Sequence, residues 1–372
     1  MKLICDAREL AESLTIAATV VPTRSSKPVL MNLALLARDG ILEILATDLE
    51  VGVRVTVRKV EIDQEGAVLL NAARAAQILK ELGDERVEIE SDESSGCVIS
   101  SKGCRFHVFG EDFEEYPQIS HFGSETGAIA IPAEAFREMV AKTQFAAAVE
   151  KTRYAMNGIL CSIAPGELRF VATDGRRLAT VVRPLDNDTV EPVKAVVPTK
   201  AMSMVTRLLL AGEERIFVRF EESQVLLRSE CAEISARLVE GRFPPYENVI
   251  PKDLDKSLEL KVSDFSAALR RASLLTTRES STVRFQFSAE GLDLSSRVVD
   301  VGESRVHVDL DYSDETVAIG FNPNFVLDAM KVMDTDSFTF RFSNPKGAAL
   351  LEEAAEGGLT YVVMPINLGS DD

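Results

Sequence analysis

The feature that most constrains this 372-residue chain is a plan that it repeats three times. The first copy opens on a strand, Lys2-Leu3-Ile4-Cys5. Asp6 then caps a helix, with Glu9 three residues on and Leu10, Leu14 and Ala17 at helical spacing. The opening returns at Ala128-Ile129-Ala130-Ile131, followed by Pro132 and a helix bearing Phe136, Met139, Val140 and Thr143. It returns again at Leu258 to Val262, where Ser263 is the expected cap and Phe265, Ala268, Leu269 and Ala272 turn inward.

The interior of each copy repeats as well. Leu42-Glu43-Ile44-Leu45-Ala46-Thr47-Asp48 matches Leu168-Arg169-Phe170-Val171-Ala172-Thr173-Asp174 at a distance of 126 residues, with a fainter third version at Leu292 to Arg297. Their alternation predicts half-buried antiparallel strands. A second helix follows in each copy, opened by Asn71, by Pro198-Thr199 and by Asn322-Pro323. Further strands close each copy. The fold class is therefore α+β: three repeated domains, each with two helices packed on antiparallel sheet, over residues 1–123, 127–252 and 257–372.

Composition narrows what such a chain does. The formal net charge is −18, which argues against adhesion to nucleic acid through a broad basic surface. No apolar run approaches the roughly 18 to 20 residues that span a bilayer. Asp6 brings a charge too early for a secretory signal. Five scattered cysteines, never in a C-x-x-C pair, read as reduced thiols packed as small apolar groups. The expected compartment is the cytoplasm.

The common signatures of catalysis are missing. The sequence carries no phosphate-binding G-x-x-x-x-G-K-[ST] loop and no G-x-G-x-x-G turn between strand and helix. Its three histidines, His107, His121 and His307, lack the spacing of a zinc site or a nucleophile–base pair. Asp48 and Asp174 recur in the repeat. Paired carboxylates are the raw material of acid–base chemistry, so a hydrolase or phosphotransferase is one reading. Turn chemistry is the other: an Asp satisfying backbone amides at a tight connection, with Gly175 beside one of them. A plain scaffold protein is a third reading. No cofactor and no metal are implied.

Six ordered segments carry a resemblance that runs essentially end to end. They are Ala46-Thr47-Asp48-Leu49-Glu50, Arg153-Tyr154-Ala155-Met156-Asn157-Gly158, Val171 to Ala179, Gly241-Arg242-Phe243-Pro244-Pro245-Tyr246, Phe321-Asn322-Pro323-Asn324-Phe325-Val326-Leu327 and Tyr361-Val362-Val363-Met364-Pro365-Ile366. With these the chain resembles the β subunit of bacterial DNA polymerase III, the sliding clamps. The resemblance implies a non-catalytic ring: a head-to-tail homodimer whose helices line a hole around double-stranded DNA. It also implies partners in the polymerase α subunit, the clamp loader and other proteins with a clamp-binding motif.

A threaded ring resolves the charge problem, because only the helices lining the hole need cations, and these meet phosphates rather than base edges. The candidates are Arg24, Arg74, Lys80, Arg137, Lys142, Lys200, Arg207, Arg270 and Arg271, with Tyr154 added by the resemblance. The resemblance also implies a hydrophobic peptide groove between the second and third domains, at Met156, Thr173, Gly175, Arg177, Leu178, Pro244, Val249, Val362, Met364 and Pro365. Arg176 and Asn248 fall in the same groove at positions where this sequence departs from the family pattern. The implied ring interface sets Phe106 and Val108 against Leu274 and Leu275, with Arg105, Arg278 and Glu303 at its rim.

Overall fold

Asp6 accepts the Glu9 amide at 2.9 Å and starts the first helix where the sequence places it. That helix belongs to a computed structural model describing residues 1–82, 86–92, 95–150, 153–186, 191–209, 212, 214–277, 280–355 and 357–368. The first copy runs β1 (Lys2–Asp6), α1 (Ala7–Ala18), β2 (Asn32–Arg38), β3 (Ile41–Thr47), β4 (Val51–Val57), β5 (Val60–Gln64), β6 (Gly66–Asn71), α2 (Ala72–Leu82), β7 (Arg86–Ser91), β8 (Cys97–Ser101) and β9 (Cys104–Val108). The second runs β10 (Ile129–Pro132), α3 (Ala133–Gln144), β11 (Gly158–Ala164), β12 (Glu167–Thr173), β13 (Arg177–Pro184), β14 (Val193–Pro198), α4 (Thr199–Leu208), β15 (Arg215–Phe220), β16 (Gln224–Arg228) and β17 (Ala232–Arg237). The third runs β18 (Lys256–Lys261), α5 (Val262–Ala272), β19 (Val283–Ser288), β20 (Gly291–Val298), β21 (Gly302–Val308), β22 (Val317–Phe321), α6 (Pro323–Met330), β23 (Ser337–Phe342), β24 (Ala349–Glu353) and β25 (Thr360–Val363).

The helix starts follow mostly from local chemistry. Asn71 accepts the Arg74 amide at 3.2 Å, and Asn322 accepts the Asn324 amide at 3.0 Å ahead of Pro323. Ser263 is a correction. Helix α5 begins two residues earlier than that cap implies, at Val262 after Lys261, and the Val262 amide bonds to the Asp336 carbonyl across the fold at 2.9 Å. Ser263 lies inside the first turn and bonds to Asp264 instead.

The chain forms two compact units, one of residues 1–136 with 200–238 and the other of 137–199 with 239–372. In the first unit a five-stranded sheet, β5-β1-β7-β8-β9, accompanies an eight-stranded one, β10-β15-β16-β17-β4-β3-β2-β6. In the second, an eight-stranded sheet, β14-β11-β12-β13-β25-β24-β23-β18, accompanies a four-stranded one, β21-β20-β19-β22. Both eight-stranded sheets are joined across copies in the same way. Strand β4 pairs antiparallel with β17, Gly52 opposite Ser235, and β13 pairs antiparallel with β25, Leu178 opposite Val362.

The middle strands depart from the half-buried expectation. In β3 every residue from Leu42 to Thr47 is buried. Helix α1 packs on β3 and β4 from one side. From the other, Leu45, Ala34 and Leu69 lie in register across β3, β2 and β6 beneath Val29, Leu30 and Tyr116. The same face holds Glu43 between Arg54 at 2.8 Å and Arg38 at 3.0 Å, so its polar residue is buried as an ion pair. The third copy packs rings into its core: Phe265, Phe285, Phe321, Phe338 and Phe340 meet edge to face or tilted, with Phe285 and Phe340 stacked, all fully buried.

Candidate functional site

The turn between β12 and β13 is held by its own side chains. The Thr173 hydroxyl donates to the Arg177 carbonyl at 2.6 Å and accepts the Gly175 amide at 3.1 Å. Asp174 Oδ1 accepts the amides of Arg176 and Arg177 at 2.9 and 3.1 Å. The turn between β3 and β4 is built identically: Thr47 bonds to the Val51 carbonyl and the Leu49 amide, and Asp48 Oδ1 accepts the amides of Glu50 and Val51. Both recurring aspartates are therefore turn residues. This geometry argues against the acid–base reading, since one oxygen of each aspartate is spent on backbone amides and the other on a cation, Lys200 for Asp48 and Arg177 for Asp174.

Arg177 carries the second turn outward into the fold. Its Nε meets Asp174 at 3.1 Å, its Nη1 meets Asp328 on α6 at 2.9 Å, and its Nη2 donates to the Phe145 carbonyl at 2.7 Å. The guanidinium lies over the Phe325 ring, 4.5 Å from its centroid. Burial alone would lower its pKa, but Asp328 and the neighbouring groups hold it above its ordinary value. The Met364 amide bonds to the Arg176 carbonyl at 2.9 Å, which fixes the strand ending in β25 against this turn.

Beside the turn lies an apolar cavity of about 250 Å³. Leu178 and Val362, a cross-strand pair, are buried in its floor, with Thr173 next to them. Met156 and Tyr154 wall it on the segment before β11, where the Ala148 amide bonds to the Met156 carbonyl at 2.9 Å. Pro244, Tyr246 and Val249 wall it from the connection before β18, and Gly175, Arg176, Arg177 and Met364 complete it. Val249, Met364 and Tyr154 are 45%, 41% and 44% exposed, so the rim presents apolar and aromatic surface to solvent. A rigid apolar floor beneath a rim with a Met side chain suits short apolar segments of a partner.

Ten of the twelve groove residues expected from the sequence line this cavity. Asn248 is exposed on a single 3-10 turn, Tyr246–Asn248, and Pro365 stands beyond Met364; neither forms the wall. Tyr246 is a groove residue that sequence reasoning misses, although its Phe-x-x-Tyr spacing repeats that of Phe113 and Tyr116. Tyr154, expected at DNA, is a wall of the groove.

The cation candidates separate into two kinds. Arg24, Arg74, Lys80, Arg207, Arg270 and Arg271 are exposed, and all but Arg24 lie on helices α2, α4 and α5. Arg137 on α3 is half-buried. Lys200 is exposed, but its ammonium lies 2.5 Å from Asp48. Lys142 is a correction. Its side chain is 3% exposed and its ammonium meets Glu138, Asp334 and Glu353 at 2.7, 2.9 and 2.7 Å, so it cannot reach a phosphate. The helical periodicity that made it look like a free cation could not reveal three acids arriving from elsewhere in the fold.

At the sheet edges, Phe106 lies half-buried on β9, and Leu274 is 78% exposed just after α5 with Leu275 half-buried beside it. Val108 is 5% exposed within its own copy and has almost no area left for a partner. Phe109, one residue on and 73% exposed, has the free surface expected of Val108. Arg278 lies outside the described residues. Each histidine pairs with an acid: His107 with Asp92, His121 with Glu233 and His307 with Asp293. No cluster of metal-ligating side chains occurs among the described residues, and none of their helices is long and apolar enough to cross a membrane.

A thrice-repeated α+β chain whose copies join edge to edge, with an apolar groove beside a copy junction, defines a modular binding protein. Its three parts match, in order, the N-terminal domain (residues 1–120), the central domain (130–245) and the C-terminal domain (247–367) of the DNA polymerase III beta subunit. The chain belongs to the DNA polymerase III beta subunit family, the bacterial sliding clamps. It is 28% identical to the beta sliding clamp of Chlamydia pneumoniae over the whole of both chains. Among solved structures it is similar to a sliding clamp of Pseudomonas aeruginosa bound to griselimycin (TM-score 0.93, 27% identity, 99% of this chain and 100% of that one). It is likewise similar to the DNA polymerase sliding clamp of Bacillus subtilis (TM-score 0.94, 25% identity, 99% and 100%).

Proposed function

We propose that two copies of this chain close head to tail into a ring that encircles duplex DNA without reading its sequence. The ring is a non-catalytic processivity factor of the cytoplasm, put on DNA by a clamp loader. Its groove tethers the polymerase III α subunit and other proteins carrying a short apolar motif.

The observation that carries ring closure is an unfinished series of sheet joins. The equivalent strands β4 and β13 are each covered by an equivalent closing strand, β17 and β25. In the third copy the corresponding strand, β21, is a free edge, and so is β9, the closing strand of the first copy. A donor edge in the first copy and an acceptor edge in the third make a heterologous contact, which repeats until a ring closes. The three domains, 1–123, 127–252 and 257–372, then become six around the hole.

Arg24, Arg74, Lys80, Arg137, Arg207, Arg270 and Arg271 supply the phosphate contacts in this reading. The surplus of acid that gives the chain its −18 charge faces away from the DNA and discourages side-on adhesion. The decisive experiment loads the protein on nicked circular DNA and then linearises the circle. A threaded ring is retained on the circle and lost from the linear form. Equal retention on both forms would show adhesion instead and end the proposal.

A further inference from the structure

The two copy junctions are built on one pattern, yet the groove lies at the second, and the matching position in the first is filled by a side chain of the chain itself. Counted from the shared turns, Leu30 stands where Met156 does, Thr47 where Thr173 does, Leu49 where Gly175 does and Gly52 where Leu178 does. The closing strands agree as well: Ser235 faces Gly52 as Val362 faces Leu178, and the Arg237 amide bonds to the Glu50 carbonyl as the Met364 amide bonds to that of Arg176. Phe113, Tyr116 and Ile119 have the spacing of Phe243, Tyr246 and Val249.

The difference lies in the residues on either side of the tyrosine. In the second copy a 3-10 turn, Tyr246–Asn248, comes after Pro244-Pro245 and leaves Val249 at the rim, half exposed. In the first copy the 3-10 turn comes earlier, at Phe113–Glu115, and the chain after Tyr116 carries no helical turn. Ile119 then lies directly over Gly52. A methyl group built on Gly52 would come within 2.6 Å of Ile119 Cγ2 and 2.8 Å of Ser235 Oγ. Ile119 packs on the cluster of Val29, Leu30, Leu45 and Tyr116, the counterpart of the cluster under the groove.

We infer that the first junction is a second copy of the peptide groove kept shut by the chain's own Ile119, which fills the space that the Leu178 side chain takes in the open one. Gly52 and Ile119 are complementary: the side chain that forms the floor of the open groove is deleted here, and the space is refilled from the chain itself. The contact limits the chain to one apolar peptide site. This rests on the groove reading above, so the test has one arm that depends on it and one that does not.

In the first arm, a synthetic hexapeptide with adjacent leucine and phenylalanine anchors is titrated calorimetrically into the full chain. The wild type takes one peptide per chain. Ile119→Ala takes two, the second at least tenfold weaker, and Ile119→Ala/Leu178→Asp keeps only the second. In the second arm, crystals are pressurised with xenon. A xenon atom beside Gly52 in Ile119→Ala and none there in the wild type supports self-occupancy, even if the peptide binds neither protein. A folded Ile119→Ala chain with no new xenon site overturns it. Should that variant not fold, the thiol introduced by Ile119→Cys is read against Cys104 with a charged thiol reagent. Protection supports the seated contact, and labelling as fast as Cys104 overturns it.

Discussion

The Lys142 ammonium lies 2.7 Å from the Glu353 carboxylate, and both side chains are almost wholly buried. Glu353 also accepts the amides of Leu359 at 3.0 Å and Asp334 at 2.7 Å, so every oxygen of this buried acid has a partner. Glu138 adds a second partner at 2.7 Å and is itself held by Arg183 at 2.5 Å. Replacing Lys142 with Met deletes the charge that compensates a buried carboxylate, at a cost of about 3–5 kcal/mol. The expected result is a fall of roughly 6–20 °C in the melting of the unit that contains it. DNA retention per folded ring stays at the wild-type level, because this lysine does not face phosphate. A salt-dependent loss of retention without a change in melting would return Lys142 to the DNA-binding set.

The same cluster sets a pH dependence with a definite sign. Burial alone would raise Glu353, but the Leu359 amide and the Lys142 ammonium hold it below its ordinary value of 4.5, and Arg183 and Lys142 do the same for Glu138. Burial alone would lower Lys142, yet the three acids keep it above 10.5. A lowered carboxylate favours the folded state above its unfolded pKa, and that contribution is lost as pH falls through the folded value. The network therefore stabilises fully between about 4.5 and 10.5 and fails first on the acid side. The melting difference between wild type and Glu353→Gln is expected to be constant from pH 6 to 8 and to shrink towards pH 3. A difference that grows on acidification would contradict the assignment.

The paired turns give two substitutions of opposite effect. Leu49 adopts φ +77° and Gly175 φ +85°, both in the left-handed region. A Cβ on Gly175 meets nothing within 4 Å, so Gly175→Ala pays only the conformational penalty, about 1–2 kcal/mol. Leu49→Gly relieves that penalty in the first turn, offset by the greater freedom of glycine in the unfolded chain. Differential scanning calorimetry is expected to show a lower transition for the first variant and an unchanged or raised one for the second. A marked loss of stability in Leu49→Gly would mean that the 40%-exposed Leu49 side chain packs more firmly than its exposure implies.

Thiol reactivity checks the buried cores. Burial pushes Cys5 and Cys97 up to about 12 and raises Cys161 further, so these thiols carry almost no thiolate at pH 8. Cys104 is exposed on β9. In the native chain a chromogenic disulfide is expected to react with Cys104 first, leaving Cys5, Cys97 and Cys161 to react only on unfolding. Peptide mapping that finds any of these three labelled ahead of Cys104 would refute the packing around it.

The threefold plan, the order of elements and five of the six α-helix starts among the described residues are legible in the sequence, because caps and apolar periodicity are local. The groove floor is legible through resemblance and through Thr173 and Asp174, whose turn chemistry is written in adjacent residues. What stays hidden is set by contacts between distant segments. Ser263 loses the cap to the Asp336 carbonyl, and β3 is buried on both faces because Tyr116 returns over it. Lys142 has a helix-surface pattern, but Glu353 comes from 211 residues away.

Head-to-tail closure makes a prediction that a symmetric dimer does not. Phe106 belongs to the free β9 edge and the exposed Leu274 to the segment after α5, so a ring closed in this way has two contacts of Phe106 with Leu274. In Phe106→Arg both contacts lose one partner, and in Leu274→Arg both lose the other; each variant alone is expected to sediment as a monomer at micromolar concentration. Mixing them changes the count. One contact then joins Arg to Arg, while the other joins an unaltered Phe106 to an unaltered Leu274. The mixture should form open dimers held by a single wild-type contact, detectable by sedimentation velocity but not retained on circular DNA. If Phe106 instead met its own counterpart across a two-fold axis, Leu274→Arg would dimerise by itself. Mixing would then rescue nothing beyond what that variant achieves alone, and the head-to-tail ring would have to be abandoned.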